Sequence, residues 1–174
     1  MSTGPATADL PVVRRAVAAD EPAMLRVERA AHAVLLGHGV DLTALQLPDG
    51  FEESTSWTLG FVAEVGGRVV GMARASALEP DLRCLDQVSV EPEHARRGIG
   101  RQLLTAVAAM ARELGYVALT GTTFRDVAFN APFYATLGCV EDTDPHPALR
   151  RRRALEQQIG LDRLGPRLAM RLTL

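Results

Sequence analysis

Cysteine is scarce: Cys84 and Cys139 are the only two, and both lie inside apolar runs. Two such residues do not make the multi-bridge framework of a small secreted domain, so a disulfide-stapled fold is excluded and a reducing compartment is expected. Aromatic residues make up only 5% of the chain, and neither sign of charge is in excess, the net being -2. That balance gives no electrostatic drive toward nucleic acid or an acidic membrane surface. No stretch approaches the roughly 18 consecutive apolar residues of a membrane-spanning helix. Residues 1–9 have neither the basic start nor the apolar core of a secretory signal. A cytoplasmic protein with no membrane or nucleic-acid partner is expected. The four histidines, at 32, 38, 94 and 146, lack the spacing of a metal-ligand set, so no metal site is expected.

What is present is an ordinary globular composition, 47% hydrophobic and 23% charged over 174 residues. A chain of that length and balance folds as one domain with a single core, here residues 10–174 behind a flexible leader, 1–9. Leu10 to Val17 reads as a strand. Asp20 is placed to cap a helix over about 21–36, with Pro22 in its first turn and Met24, Val27, Ala31 and Val34 on one apolar face. A short helix capped by Asp41 and a turn at Pro48-Asp49-Gly50 follow. Thr58 to Val65 and Arg68 to Ala77 form a hairpin around Gly66-Gly67, and Arg83 to Val90 is a third strand. The strongest helix covers Ile99 to Leu114, with Gly115 at its C-terminal cap. Tyr116 to Thr123 reads as a strand, Asn130 to Leu137 as a short helix, Cys139 to Glu141 as a strand start, 148–159 as a helix and Arg167 to Leu174 as a last strand. The strand, helix, strand order over 83–123 implies a right-handed crossover between parallel neighbours. The fold class is therefore α/β (α+β): a mixed, mostly antiparallel sheet with a central parallel pair and flanking helices.

Four consecutive arginines, Arg150 to Arg153, resemble a phosphate-binding patch, yet on a helix they spread around the axis, and Glu156 lies within reach of Arg152 and Arg153. A solvated helix face is the expected role. A different setting surrounds Arg96-Arg97-Gly98-Ile99-Gly100-Arg101, which joins a strand to the strongest helix. There the unpaired N–H groups of the first turn and the positive end of the helix dipole converge, and glycines at 98 and 100 let a phosphate approach the backbone. With three arginines added, the segment is suited to a diphosphate. It is neither a Walker A loop, which needs Gly-Lys-Ser/Thr, nor a dinucleotide fingerprint, which needs a third glycine where Leu103 stands.

The strand Val88-Ser89-Val90-Glu91-Pro92, followed by Ala95-Arg96-Arg97-Gly98-Ile99-Gly100 and a helix, resembles the central signature of the GNAT superfamily of N-acetyltransferases. Phe133-Tyr134 with Gly138-Cys139 resembles a second signature of that family, in the right order and at about the right distance. Two positions depart from the pattern: Ala95 stands where Arg or Gln is usual, and Val127 where many members place Asn. The resemblance implies acetyl-CoA as cosubstrate, no tightly bound cofactor, and direct attack by a primary amine of a small molecule or polypeptide. It places the pantetheine along Val88, Ser89 and Val90, with Asn130 nearby, and the diphosphate on Arg96, Arg97, Gly98, Ile99, Gly100 and Arg101. It makes Tyr134 the donor to the leaving thiolate, and Asp86 the candidate base. By simple strand alternation Asp86 shares a face with Cys84, Val88 and Val90. A free Asp, with a pKa of about 3.9, needs burial or a relay water to serve as that base. Leu35 to Phe51 and Thr143 to Leu149 are the segments expected to line the acceptor pocket. Edge strands and the apolar C-terminal strand leave a homodimer open. The alternative reading is a CoA-binding sensor or interaction domain without turnover.

Overall fold

The computed structural model describes residues 10–45 and 59–174, so the leader at 1–9 and the turn at Pro48-Asp49-Gly50 lie outside the described residues. In chain order the elements are β1 (Val12–Arg15), α1 (Glu21–Gly37), β2 (Leu59–Val65), β3 (Arg68–Glu79), β4 (Leu82–Val90), α2 (Ile99–Glu113), β5 (Ala118–Phe124), α3 (Ala131–Ala135), β6 (Val140–Glu141), α4 (Pro147–Gln158) and β7 (Arg167–Thr173). The described strands form one sheet in the order β1-β2-β3-β4-β5-β7-β6. Its one parallel pair is β4 with β5, joined by α2, as the crossover rule requires.

Alternation along the strands serves two apolar layers. Leu59, Phe61, Ala73 and Ala75 pack with Ile99, Leu103, Leu104 and Val107 of α2. Val62, Val69 and Met72 turn the other way, onto Met24 and Val27 of α1. The C-terminal strand is not a free edge: β7 lies between β5 and the two residues of β6.

Two expectations change at the level of side chains. Asp20 stands at the N-cap of α1, but its carboxylate makes no capping bond there. It binds the Arg14 guanidinium at 2.7 and 2.8 Å and the Val17 N–H at 2.8 Å, pinning the end of β1 to the helix entrance. The Arg14 pair holds the Asp20 carboxyl below its usual range. A depressed folded-state pKa means that this stabilisation is present above the unfolded value and is lost as pH falls through the folded one. Asp20→Asn should therefore lower unfolding free energy at pH 7 by about 1–3 kcal/mol. The deficit should shrink as pH drops below about 3.9, which urea titrations at several pH values would show.

The second change is a bulge. Arg74 pairs with Gln87 and Ala75 with Leu85, so Asp86 is an extra residue in β4. Residues directly opposed across a ladder share a face. Asp86 therefore stays on the side of Cys84 and Ser76, while Val88 and Val90, opposite Ala73 and Gly71, pass to the α2 side. The simple alternation that grouped Asp86 with Val88 and Val90 is corrected accordingly.

Candidate active site

The parallel ladder is short. Leu82, Arg83 and Cys84 pair with Ala118, Leu119 and Thr120, and the strands then separate. β5 continues against β7 as far as Phe124, and β4 continues against β3 as far as Val90. The β5-facing edge of β4 is thus without a ladder partner from Leu85 onward among the described residues. Gly121 sits at the fork, where an added Cβ would lie 2.9 Å from the Leu85 carbonyl oxygen. A side chain there would push the arms apart at their junction. The fork opens into a cleft of about 1210 Å³ lined by Asp86 and Val88 of β4, Thr122 of β5, and Asn130 and Tyr134 at α3. Ser89 is buried and its hydroxyl accepts from Gln87 Nε2 at 2.7 Å.

At the end of β4 the chain passes through Arg96, with φ 60°, and Gly98, with φ 79°, before α2 begins. The first α2 bond runs from the Gln102 N–H to the Gly98 carbonyl at 3.0 Å. The N–H groups of Gly98, Ile99, Gly100 and Arg101 therefore lie ahead of the helix ladder. Ile99 is 2% exposed and anchors the turn in the core, leaving its N–H as its contribution to the site. Gly100 has a second role: an added Cβ would lie 3.1 Å from Phe133 Cζ, so its bare backbone lets the Phe133 ring join α3 to this turn.

The two arginine clusters separate clearly. Arg150 pairs with Asp144, Arg151 with Glu79, Arg152 with Asp86, and Arg153 with Asp162. Arg96, Arg97 and Arg101 have no ion-pair partner among the described residues and are exposed beside the unpaired amides. The first cluster is electrostatically satisfied; the second is free to meet an anion. The solvated-face expectation holds for Arg150 and Arg151, whereas Arg152 and Arg153 are half-buried.

Tyr134 lies on α3, its ring centroid 5.4 Å from that of Phe133. Its hydroxyl has no hydrogen-bond partner among the described residues, and burial pushes its pKa above the ordinary value of 10.0. It is therefore a protonated donor at neutral pH. Asn130 precedes α3 without capping it through its side chain, which leaves that amide available to the cleft.

Asp86 is engaged by Ser76 Oγ at 2.9 Å and Arg152 Nη1 at 2.6 Å. One turn further along α4, Glu156 accepts from the Thr122 hydroxyl and from Arg167 Nε at 3.3 Å. Arg152 and Glu156 thus reach opposite arms of the fork, a cross-brace that their i, i+4 spacing permits but does not reveal in sequence. The C-terminal side of the cleft is lined by these later turns of α4, not by Thr143 to Leu149. Leu35, Leu42 and Leu45 of the Leu35 to Phe51 segment do line it, and its remainder from 46 lies outside the described residues. Cys84 is 1% exposed, and burial raises its thiol pKa to about 12. Cys139 is raised to about 11 for the same reason. Neither is a thiolate nucleophile at neutral pH.

The site thus joins a forked parallel pair to a glycine turn with unpaired first-turn amides and, among the described residues, unpaired arginines beside it. The sequence profile of the Acetyltransferase (GNAT) family matches residues 36–139, and the chain belongs to that family. Its members are N-acetyltransferases that use acetyl-CoA as cosubstrate and need no tightly bound cofactor. Among solved structures, the chain is similar to N-acetylglutamate synthase from Neisseria gonorrhoeae complexed with coenzyme A and N-acetyl-glutamate. That match has a TM-score of 0.67 and 17% identity, covering 95% of this chain and 35% of that one. This chain thus spans about a third of that enzyme's length. The ribosomal-protein-S18-alanine N-acetyltransferase from Escherichia coli matches with a TM-score of 0.66 and 20% identity over 94% of both chains. A GNAT family acetyltransferase from Brucella melitensis in complex with acetyl-CoA matches with a TM-score of 0.57 and 23% identity, over 76% of this chain and 84% of that one. No helix among the described residues is long and apolar enough to cross a membrane.

Proposed function

We propose that this chain moves an acetyl group from acetyl-CoA to a primary amine by direct attack, in the cytoplasm. The observation that carries the reading is the fork itself, where among the described residues the β4 edge has no ladder partner and runs toward the unpaired amides of Gly98 to Arg101 and three arginines without an ion pair. The diphosphate meets those amides with Arg96, Arg97 and Arg101, and the pantetheine adds to β4 at Val88, Ser89 and Val90, with Asn130 alongside. A backbone N–H near Val90 polarises the thioester carbonyl. The amine nitrogen attacks the carbonyl carbon, the C–S bond breaks, the nitrogen loses a proton, and the sulfur gains one, giving the amide and free CoA thiol. Tyr134 donates to the sulfur as its charge develops. Only about one in a thousand alkylamines is neutral at pH 7.4, so removal of the amine proton is worth catalysing. Asp86 begins that path through water, in the orientation that Ser76 and Arg152 impose. Asp86→Asn should then depress turnover most at low pH, where neutral amine is scarcest, and an unchanged pH–rate profile would return Asp86 to a structural role.

The engagement of Asp86 by Arg152 favours one competing reading, a CoA-binding domain without turnover. Thiol release separates the two when acetyl-CoA is offered with amines, amino acids, aminoglycosides and peptides in turn. The chain contains no lysine, so thiol release does not arise from acetylation of its own lysine side chains. Amine-dependent release supports transfer; tight acetyl-CoA binding with no release for any amine supports the sensor.

A further inference from the structure

We infer that the acceptor is a free amino acid with an apolar side chain, its carboxylate held at Arg29; this rests on the acyl-transfer reading above. The cleft is lined by five arginines, at 29, 74, 151, 152 and 167, against three carboxylates, Asp41, Asp86 and Glu156. Four of the five have a carboxylate partner: Arg74 with Glu28 at 2.9 Å, Arg151 with Glu79 at 3.7 Å, Arg152 with Asp86 at 2.6 Å and Arg167 with Glu156 at 3.3 Å. Arg29 has neither an ion pair nor a hydrogen bond among the described residues, and it lies exposed on the wall formed by α1. The Asp41 carboxylate is taken up locally, accepting from the Thr43 N–H at 2.9 Å and its hydroxyl at 2.6 Å. Among the described residues Arg29 is thus the one cleft arginine without a carboxylate partner, and an acceptor that carries its own carboxylate would complement it.

The lining also carries apolar side chains on two opposite sides, Leu35, Leu42 and Leu45 from the α1 side and Leu155, Ile159 and Leu161 from the α4 side. Such walls hold a hydrocarbon side chain. An apolar amino acid presents all three features at once: amine, carboxylate and hydrocarbon.

The test compares L-leucine, L-phenylalanine and L-methionine with their α-carboxamides, and with spermidine, by thiol release from acetyl-CoA. The carboxamide is a demanding comparator. Its amine, like a peptide N-terminus, has a pKa near 8, so it supplies more neutral nucleophile at pH 7.5 than the free amino acid does. A kcat/KM about tenfold or more in favour of the free acid, against that bias, reports the carboxylate. Arg29→Gln should cut this preference by about three- to tenfold, through a higher KM for the amino acid, and Arg29→Lys should restore part of it. A preference for the carboxamides or spermidine would overturn the inference while leaving acyl transfer intact. An acid-to-amide ratio unmoved by Arg29→Gln would also overturn it. Acetyl-CoA binding with no thiol release for any amine would remove the acyl-transfer reading and this inference together.

Discussion

Tyr134→Phe is expected to lower kcat by about 10²–10⁴, the range for loss of a general acid, with little change in acetyl-CoA affinity. The substitution keeps the ring and its packing on Phe133 while removing one oxygen that has no protein partner among the described residues. The raised pKa of Tyr134 keeps the proton on the phenol until negative charge gathers on the sulfur, whose own proton affinity rises in the same desolvated setting. Stopped-flow or steady-state thiol release measures kcat, and thermal unfolding measures the packing contribution. An unaffected kcat with lowered stability would assign Tyr134 to the core.

Gly98→Val should raise the Kd for acetyl-CoA by about 10- to 100-fold. Among the described residues nothing lies within 4 Å of a Cβ placed on Gly98, so the effect does not come from a clash. It comes from φ 79°, which a β-branched residue avoids at a cost of about 1–3 kcal/mol. Relaxing that strain would turn the first-turn amides away from the diphosphate. Gly98→Asn is the control, because Asn tolerates the left-handed region; it should bind acetyl-CoA far more tightly than the valine variant. Equal affinities for wild type and both variants, by calorimetry, would count against the loop as the phosphate site.

Elements whose signals are local were readable in the sequence. The stripe Ile99, Leu103, Leu104 and Val107 specifies α2 whatever surrounds it, and Gly115 closes the helix with φ 85° as a left-handed cap. The hairpin at Gly66-Gly67 and the parallel crossover follow from equally local chemistry. What escaped depends on partners distant in sequence. Asp20 has the composition of a cap, yet Arg14 outbids the helix amides for its carboxylate because a bidentate charged pair exceeds one capping bond. The bulge at Asp86 is invisible without β3 beside it, since alternation assumes one residue per partner. Arg152 carries an i, i+4 acid on its own helix, but the β4 carboxylate is better placed to receive it. The loop of the candidate site was legible because its chemistry is backbone and glycine; its acceptor half was not, because it is assembled from α1, β4, β5 and α4.

The most direct test of the central claim is a crystal structure of the protein with coenzyme A. The account predicts the diphosphate within hydrogen-bonding distance of the amides of Gly98 to Arg101, Arg96 or Arg97 on its oxygens, and the pantetheine lying along the free edge of β4 into the fork. A diphosphate bound instead at Arg150 to Arg153, or a carrier lying outside the fork, would contradict it.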